Sequence, residues 1–344
     1  MKRKVMATLV AAGMAVAVTA CGGSGTTSTT DTSVDAAQEE DAADVAADVA
    51  ADVAADAKDA NGEYKVAFLC KSYTDTFCLN VKEEFEKAAA DYADLFVVDY
   101  FDSENTAATQ NDQIETCTAA GYDAIVFQQV DAEAPVEVVK AALDKGIYVV
   151  VTTGHIEDGG ASWYVDADPY QQGQVVADYA VEQGYCDNAK VAILSGPTGN
   201  FHSENRVQAF KDAIDAKDDA TLVATEVADW SKDTAMTVTQ NWLVAYPDLK
   251  VILAANDDMG LGAVEAIEMA GLSDQVKVFA IDGTEGGLQA VKDGRLGATV
   301  MQDTKGYAVE ALNITSELLK GETAESMNID STLITADNVD EYLK

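Results

Sequence analysis

Basic residues are scarce in this chain of 344 residues: 22 lysines and arginines stand against 60 aspartates and glutamates, a formal net charge of −38. Charge of that sign repels nucleic acid, polyanionic substrates and anionic membrane surfaces at long range, so none of these is expected as a partner. Histidine is scarcer still. His155 and His202 are the only imidazoles, no HExxH pair exists, and neither a GxSxG elbow nor a Walker loop points to hydrolase or nucleotide chemistry. The five cysteines, Cys21, Cys70, Cys78, Cys117 and Cys186, form no CxxC pair, which speaks against a structural zinc site. The GPTG of residues 196–199 is only loosely like a phosphate loop and opens a helix as any turn does. No catalytic residue, metal or cofactor is therefore expected.

Apolar residues make up 48% of the chain, ample for real cores, and the length suits about two domains or one bilobed unit. The N-terminus is ordered as a secretory signal: Lys2-Arg3-Lys4, an apolar run over 5–18, then Val18-Thr19-Ala20-Cys21. The run is too short to span a bilayer comfortably. Because it ends at a cysteine, the segment 1–21 resembles a bacterial lipoprotein lipobox. That resemblance implies that Cys21 is the first mature residue and carries the lipid, two acylations supplying the two membrane signals that stable anchoring needs. Residues 22–62 follow as an acidic tether. The repeat Asp-Val-Ala-Ala runs from Asp44 to Asp56, and residues 31–60 hold ten acids and one lysine. A four-residue period stacks like charges on one helical face, and alanine is too small to build a core. The segment reads as a solvated spacer that holds the folded part off the membrane.

From Tyr64 the pattern alternates. Strands are predicted over 64–70, 95–101, 123–128 and 147–153, with helices over 79–93, 106–120 and 134–145. After a link containing Trp163-Tyr164-Val165 the same unit restarts. Helices are predicted over 169–182, 204–216, 233–246 and 284–292, and strands over 190–195, 221–227, 251–254 and 276–282. Residues 296–302 then lead to a helix over 307–319 and an extended tail. Such alternation predicts an α/β fold with parallel sheets covered by helices on both faces. Two series of similar size imply two doubly wound lobes joined by a hinge, with a ligand cleft between them.

The stretch VILAANDDMGLGAVEAIEMA, residues 251–270, changes period in its middle, from a buried strand to a helix after Met259. Asp257 or Asp258 is the expected N-cap, and Asn256 sits where the strand ends. In an open α/β sheet that end faces the ligand crevice.

Four phrases, GNFHSENRVQAF (199–210), VADW (227–230), AYPDLKVILAANDDMGLGAVEAI (245–267) and VFAIDGTEGGLQAVKDGRLGATVMQ (278–302), occur in order. Together they resemble the type I periplasmic sugar-binding proteins, and among them the ribose-binding proteins most, over about 64–321. The resemblance implies that family's fold, with 63–166 plus about 303–330 in an N-terminal lobe and 167–302 plus about 331–344 in a C-terminal lobe. It places Arg206 as a ligand-binding guanidinium, Trp230 as a stacking aromatic, and Asn256, Asp282 and Gln302 as partners of sugar hydroxyls. Asp75, Phe77 and Thr153 fall on the opposite wall. The chemistry suits a sugar, whose hydroxyls both donate and accept and whose CH-bearing faces pack on aromatic rings. By the same resemblance the lobes close around the guest, and the protein acts as a monomer on the outer face of the bacterial membrane, delivering its ligand to an ABC importer permease.

Three departures leave the ligand open within monosaccharides and similar polyols. Thr153-Gly154 replaces an Asp-Arg pair, Cys78 replaces a second aromatic, and Lys71 stands where a small polar residue is usual. A sensory lipoprotein that presents its ligand to a membrane kinase or chemoreceptor is the alternative, as is a nucleoside or autoinducer guest. His155 and His202 are placed in loops near the cleft on opposite lobes; a bridging metal, a ligand contact and a polar rim position are all open to them. Setting Cys21 aside, Cys70, Cys78, Cys117 and Cys186 suit either two disulfides or buried thiols, and Cys70 and Cys78 flank the first strand-to-helix turn.

Overall fold

The structure, a computed structural model, describes residues 62–343. The predicted signal at 1–21, the Cys21 lipidation site and the tether up to residue 61 lie outside the described residues. Chain order begins β1 (Tyr64–Cys70), α1 (Thr76–Ala89), β2 (Phe96–Asp102), α2 (Ala107–Ala120), β3 (Ala124–Gln128), α3 (Val136–Leu143), β4 (Tyr148–Thr152) and β5 (Trp163–Asp166). It continues with α4 (Pro169–Glu182), β6 (Lys190–Ser195), α5 (Phe201–Asp215), β7 (Thr221–Val227), α6 (Lys232–Ala245), β8 (Leu249–Ala254), α7 (Asp257–Ala270), β9 (Lys277–Asp282), α8 (Glu285–Lys292) and β10 (Leu296–Gln302). Three last elements close the chain: α9 (Thr304–Leu319), β11 (Met327–Asn328) and β12 (Ser331–Ile334).

The strands form two sheets in the orders β2-β1-β3-β4-β5-β11 and β7-β6-β8-β9-β10-β12, parallel throughout except for β12, which runs antiparallel to β10. Every residue of β3 and β4 is buried, as a strand covered on both faces requires. One face of the first sheet packs Phe68, Phe85 and Leu312, and the other packs Leu69, Ile114 and Phe127. The chain passes between the sheets three times, after β5, after β10 and between β11 and β12. The second passage returns α9 to the first lobe, where the fully buried Tyr307 meets Phe77 edge to face at 5.8 Å.

Strand order reverses between β1 and β3 in one sheet and between β6 and β8 in the other. Ligand crevices in doubly wound sheets open at such switch points, outside the carboxyl ends of the strands. The two crevices face each other, and several contacts join the lobes across them. Ala132 N donates to the Gly199 carbonyl at 3.1 Å, Thr76 N to Asp258 Oδ2 at 3.4 Å, and the rings of His155 and Phe201 stack at 4.8 Å.

Four local expectations need correction. Residues 163–166 are strand β5 rather than a link. Asp158 gathers the amides of Gly160, Ala161 and Ser162 into a tight turn that delivers Trp163 into register with Val150. Helix α1 starts at Thr76, earlier than expected, because Asp75 Oδ1 caps it by accepting from Cys78 N at 2.9 Å. Helix α5 likewise starts at Phe201 behind the Asn200 cap, so His202 is helical and not in a loop. At α7 the cap is Asn256, whose Oδ1 accepts from Met259 N at 2.9 Å. Asp257 turns inward instead, accepting from Thr284 N at 2.8 Å, Thr284 Oγ1 at 2.9 Å and Thr299 Oγ1 at 2.7 Å.

Candidate functional site

All eight side chains singled out above, Asp75, Phe77, Thr153, Arg206, Trp230, Asn256, Asp282 and Gln302, line one cavity between the two switch points. Each comes from a strand end or the loop that follows it, except Phe77 in the first turn of α1 and Arg206 on α5. Thr153 and Trp230 have left-handed backbones, with φ of 58° and 59°, and Asp282 has φ of 137°. Three non-glycine residues in such conformations around one cavity mark a site whose geometry is imposed by its surroundings.

On the first wall, Asp75 is fully engaged. Its Oδ1 caps α1 and its Oδ2 pairs with Lys71 Nζ at 2.8 Å, both side chains being buried. Burial alone would raise the Asp75 pKa, but the Lys71 ammonium and the Cys78 amide hold it below the usual carboxylate value. The same ammonium sits 5.1 Å from the centre of the Trp230 ring on the opposite lobe, within cation–π range. Lys71 thus occupies space beside the aromatic wall and balances a carboxylate there.

On the second wall, Arg206 is held by Gln172, the Ala255 carbonyl and His202. Its Nε and Nη2 donate to Gln172 Oε1 at 3.1 and 2.8 Å, and its Nη1 donates to the Ala255 carbonyl at 2.8 Å. Gln172 in turn donates to Gln302 Oε1 at 3.1 Å and Ser331 Oγ at 2.9 Å. Gln302 passes the orientation on, donating to Asp282 Oδ1 at 2.7 Å while its Oε1 accepts from Tyr307 at 3.1 Å. Burial pushes the Asp282 carboxyl well above the usual range, and the nearby Arg206 only partly offsets it. Gly196 packs flat against the Trp230 indole, where a Cβ would overlap the six-membered ring.

His202 lies in the same cavity wall with Nε2 2.7 Å from Asp166 Oδ1, and Nδ1 takes Arg206 Nη2 at 3.2 Å. Burial lowers its pKa although Asp166 pulls the other way. His155 Nε2 is 3.4 Å from the other Asp166 oxygen, so both imidazoles meet at the carboxylate that ends β5, the first passage between lobes. Among the described residues no group of three or more His, Cys, Asp or Glu is placed to hold a metal. Cys70, Cys78, Cys117 and Cys186 are buried free thiols, and burial pushes Cys70 up to about 12 and Cys117 and Cys186 up to about 11. No helix among the described residues is long and apolar enough to cross a membrane.

The sequence reading did not single out Gln129 or Asn200, which also line the cavity, or Gln172, which stands behind it. Lys71, Cys78 and His202 entered only as departures or open questions. For Gln172 no sequence signal was available: it is one of two consecutive glutamines on a helix, distinguished only by its burial.

Two doubly wound lobes shut over a cavity of amide, carboxylate, guanidinium and aromatic groups define a type I periplasmic binding protein fold. Residues 66–323 match the periplasmic binding protein domain model, and the chain belongs to that family. The ribose import binding protein RbsB of Salmonella typhimurium is 29% identical over 257 residues, spanning 75% of this chain and 85% of that protein. An ABC transporter solute binding protein from Bacillus halodurans C-125 with bound myo-inositol superposes with a TM-score of 0.78 at 26% identity, covering 83% of this chain and 98% of that one. The Caulobacter myo-inositol binding protein, bound to myo-inositol, gives a TM-score of 0.76 at 28% identity over 80% of this chain and 95% of that one.

Proposed function

We propose that the protein is an extracytoplasmic solute-binding lipoprotein, anchored through Cys21, that captures a monosaccharide or similar polyol between its lobes and hands it to an ABC importer. It acts as a monomer and performs no chemistry on its guest. The observation that carries this reading is the convergence of Asp75, Phe77, Thr153, Arg206, Trp230, Asn256, Asp282 and Gln302 on one inter-lobe cavity. Two cations, Lys71 and Arg206, face two carboxylates, Asp75 and Asp282, so the cavity makes no strong demand for a charged guest. Its planar donors and acceptors are held by second-layer bonds and suit hydroxyls, while Phe77 and Trp230 offer faces to ring CH groups. The ribose and myo-inositol named for the relatives are guests of this kind. Relief of buried carboxyl repulsion by bound hydroxyls would then favour the closed arrangement over an open one.

Native mass spectrometry on the chain purified from its own cells tests the reading. The expected result is a co-purifying neutral mass of a monosaccharide or cyclic polyol, lost on mild unfolding. A nucleoside mass, or turnover of an added sugar, would overturn it.

A further inference from the structure

The loop after β3 brings a side chain to the cavity that the eight residues above do not include. Gln129 is buried at 1% exposure and lines the cavity from the first lobe. Its orientation is set by Asn200 of the opposite lobe. Asn200 Oδ1 is already taken by the Ser203 amide at 3.1 Å, the bond that caps α5. Its Nδ2 must therefore be the atom that faces the first lobe, and it donates to the Val130 carbonyl at 3.2 Å and to Gln129 Oε1 at 3.3 Å. A flipped Gln129 would set two NH₂ groups against each other, so the oxygen stays toward Asn200. Gly154 packs against the Cβ and Oε1 side of the same residue, so closely that a Cβ there would overlap. The Nε2 end is left over, buried and without a partner among the described residues. Buried donors without partners are rare in native proteins, and one at a cavity wall implies a ligand acceptor.

We infer that Gln129 is a ligand contact and a closure sensor in one planar amide: Nε2 donates to a hydroxyl oxygen of the guest while Oε1 accepts from Asn200 across the cleft. The inference rests on the solute-binding reading above and adds to it the residue through which occupancy is felt at the lobe interface. An open arrangement breaks the Asn200 bond and exposes Gln129 to water. An occupied closed one satisfies both ends of the amide, whereas an empty closed one leaves Nε2 without a partner. Gln129 therefore adds to the difference between occupied and empty closure, which raises affinity and slows release together.

Isothermal titration of the full chain with D-ribose, xylitol and myo-inositol tests this, using wild type, Gln129→Leu and Gln129→Glu. Gln129→Glu keeps an acceptor toward Asn200 and replaces only the donor, so it isolates the guest contact. Both variants should bind the probe that wild type binds about tenfold or more weakly, with faster release and an unchanged unliganded melting midpoint. One mono-deoxy analogue of that probe should bind wild type and Gln129→Leu alike, since it lacks the acceptor that Nε2 serves. If both variants bind within about twofold of wild type, or if Gln129→Glu alone retains affinity, the ligand contact is overturned and the solute-binding reading stands. If wild type binds none of the probes, that reading is overturned for these solutes and the Gln129 contact falls with it.

Discussion

Arg206 Nη1 stands 3.6 Å from Asp282 Oδ1, an ion pair too long to be a hydrogen bond although both side chains are buried. The guanidinium is held instead by Gln172 and the Ala255 carbonyl, and the carboxylate by Gln302. Two strong polar groups are therefore fixed near each other without being spent on each other. That arrangement suits the binding of hydroxyl groups.

The backbone of Asp282, at φ 137°, adds to the cost of this site. Residues held in sparsely populated regions cost about 1–3 kcal/mol each. Asp282→Gly should relieve the strain and remove a buried carboxyl, so the unliganded variant should unfold at an equal or higher urea concentration, by about 1 kcal/mol, while losing its ligand. A variant less stable than wild type would show that the residue serves the fold.

Gln172 touches no part of the cavity yet orients both Arg206 and Gln302. Gln172→Leu leaves the Arg206 Nε without its acceptor and Nη2 with only His202 Nδ1, which should weaken ligand binding by about 2 kcal/mol, roughly thirty-fold. Titration calorimetry measures it. An unchanged dissociation constant would show that Arg206 is held well enough by the Ala255 carbonyl and His202.

Gly196 lets the Trp230 indole lie against the backbone. Gly196→Ala should push the ring toward the guest, weakening binding about tenfold, with an overpacking cost to the unliganded fold of about 1–3 kcal/mol. Equal affinity would place the stacking surface elsewhere.

Asp257 is pushed up to about 6 from 3.8, chiefly by burial, against the pull of three hydrogen bonds from Thr284 and Thr299. The folded state therefore holds its proton more tightly than the unfolded chain. The stability this contributes is full below about pH 4 and is lost as pH rises through about 6. Asp257→Asn does not titrate. The melting midpoint of wild type minus that of the variant should fall between about pH 4 and 6, and a flat difference would place the carboxylate in a better solvated setting.

The repeating strand and helix segments were legible because central strands covered on both faces must be apolar throughout, as β3 and β4 are. Helix α4 was bounded correctly, marked by an Asp168 cap and Pro169 in its first turn. Arg206, Trp230, Asn256, Asp282 and Gln302 stood out because they fall within the four phrases, where a resemblance carries most weight. Less could be read where several residues compete for one role. Asn256, Asp257 and Asp258 are all good caps, and the choice was decided by Thr284 and Thr299, 27 and 42 residues beyond Asp257. Gln129 and Gln172 each adjoin a second glutamine, and only packing distinguishes the pair. Strand β5 is four residues long and takes its register from a turn, which no periodicity reveals.

Thermal unfolding of wild type and Asp282→Gly with and without ribose, xylitol and myo-inositol tests the central claim, that the closed cavity holds an uncharged polyhydroxyl guest. At ligand concentrations near a hundred dissociation constants, one of these polyols should raise the wild-type midpoint by about 5 °C and leave the variant unmoved. No shift with any polyol, or the same shift in both proteins, would contradict it.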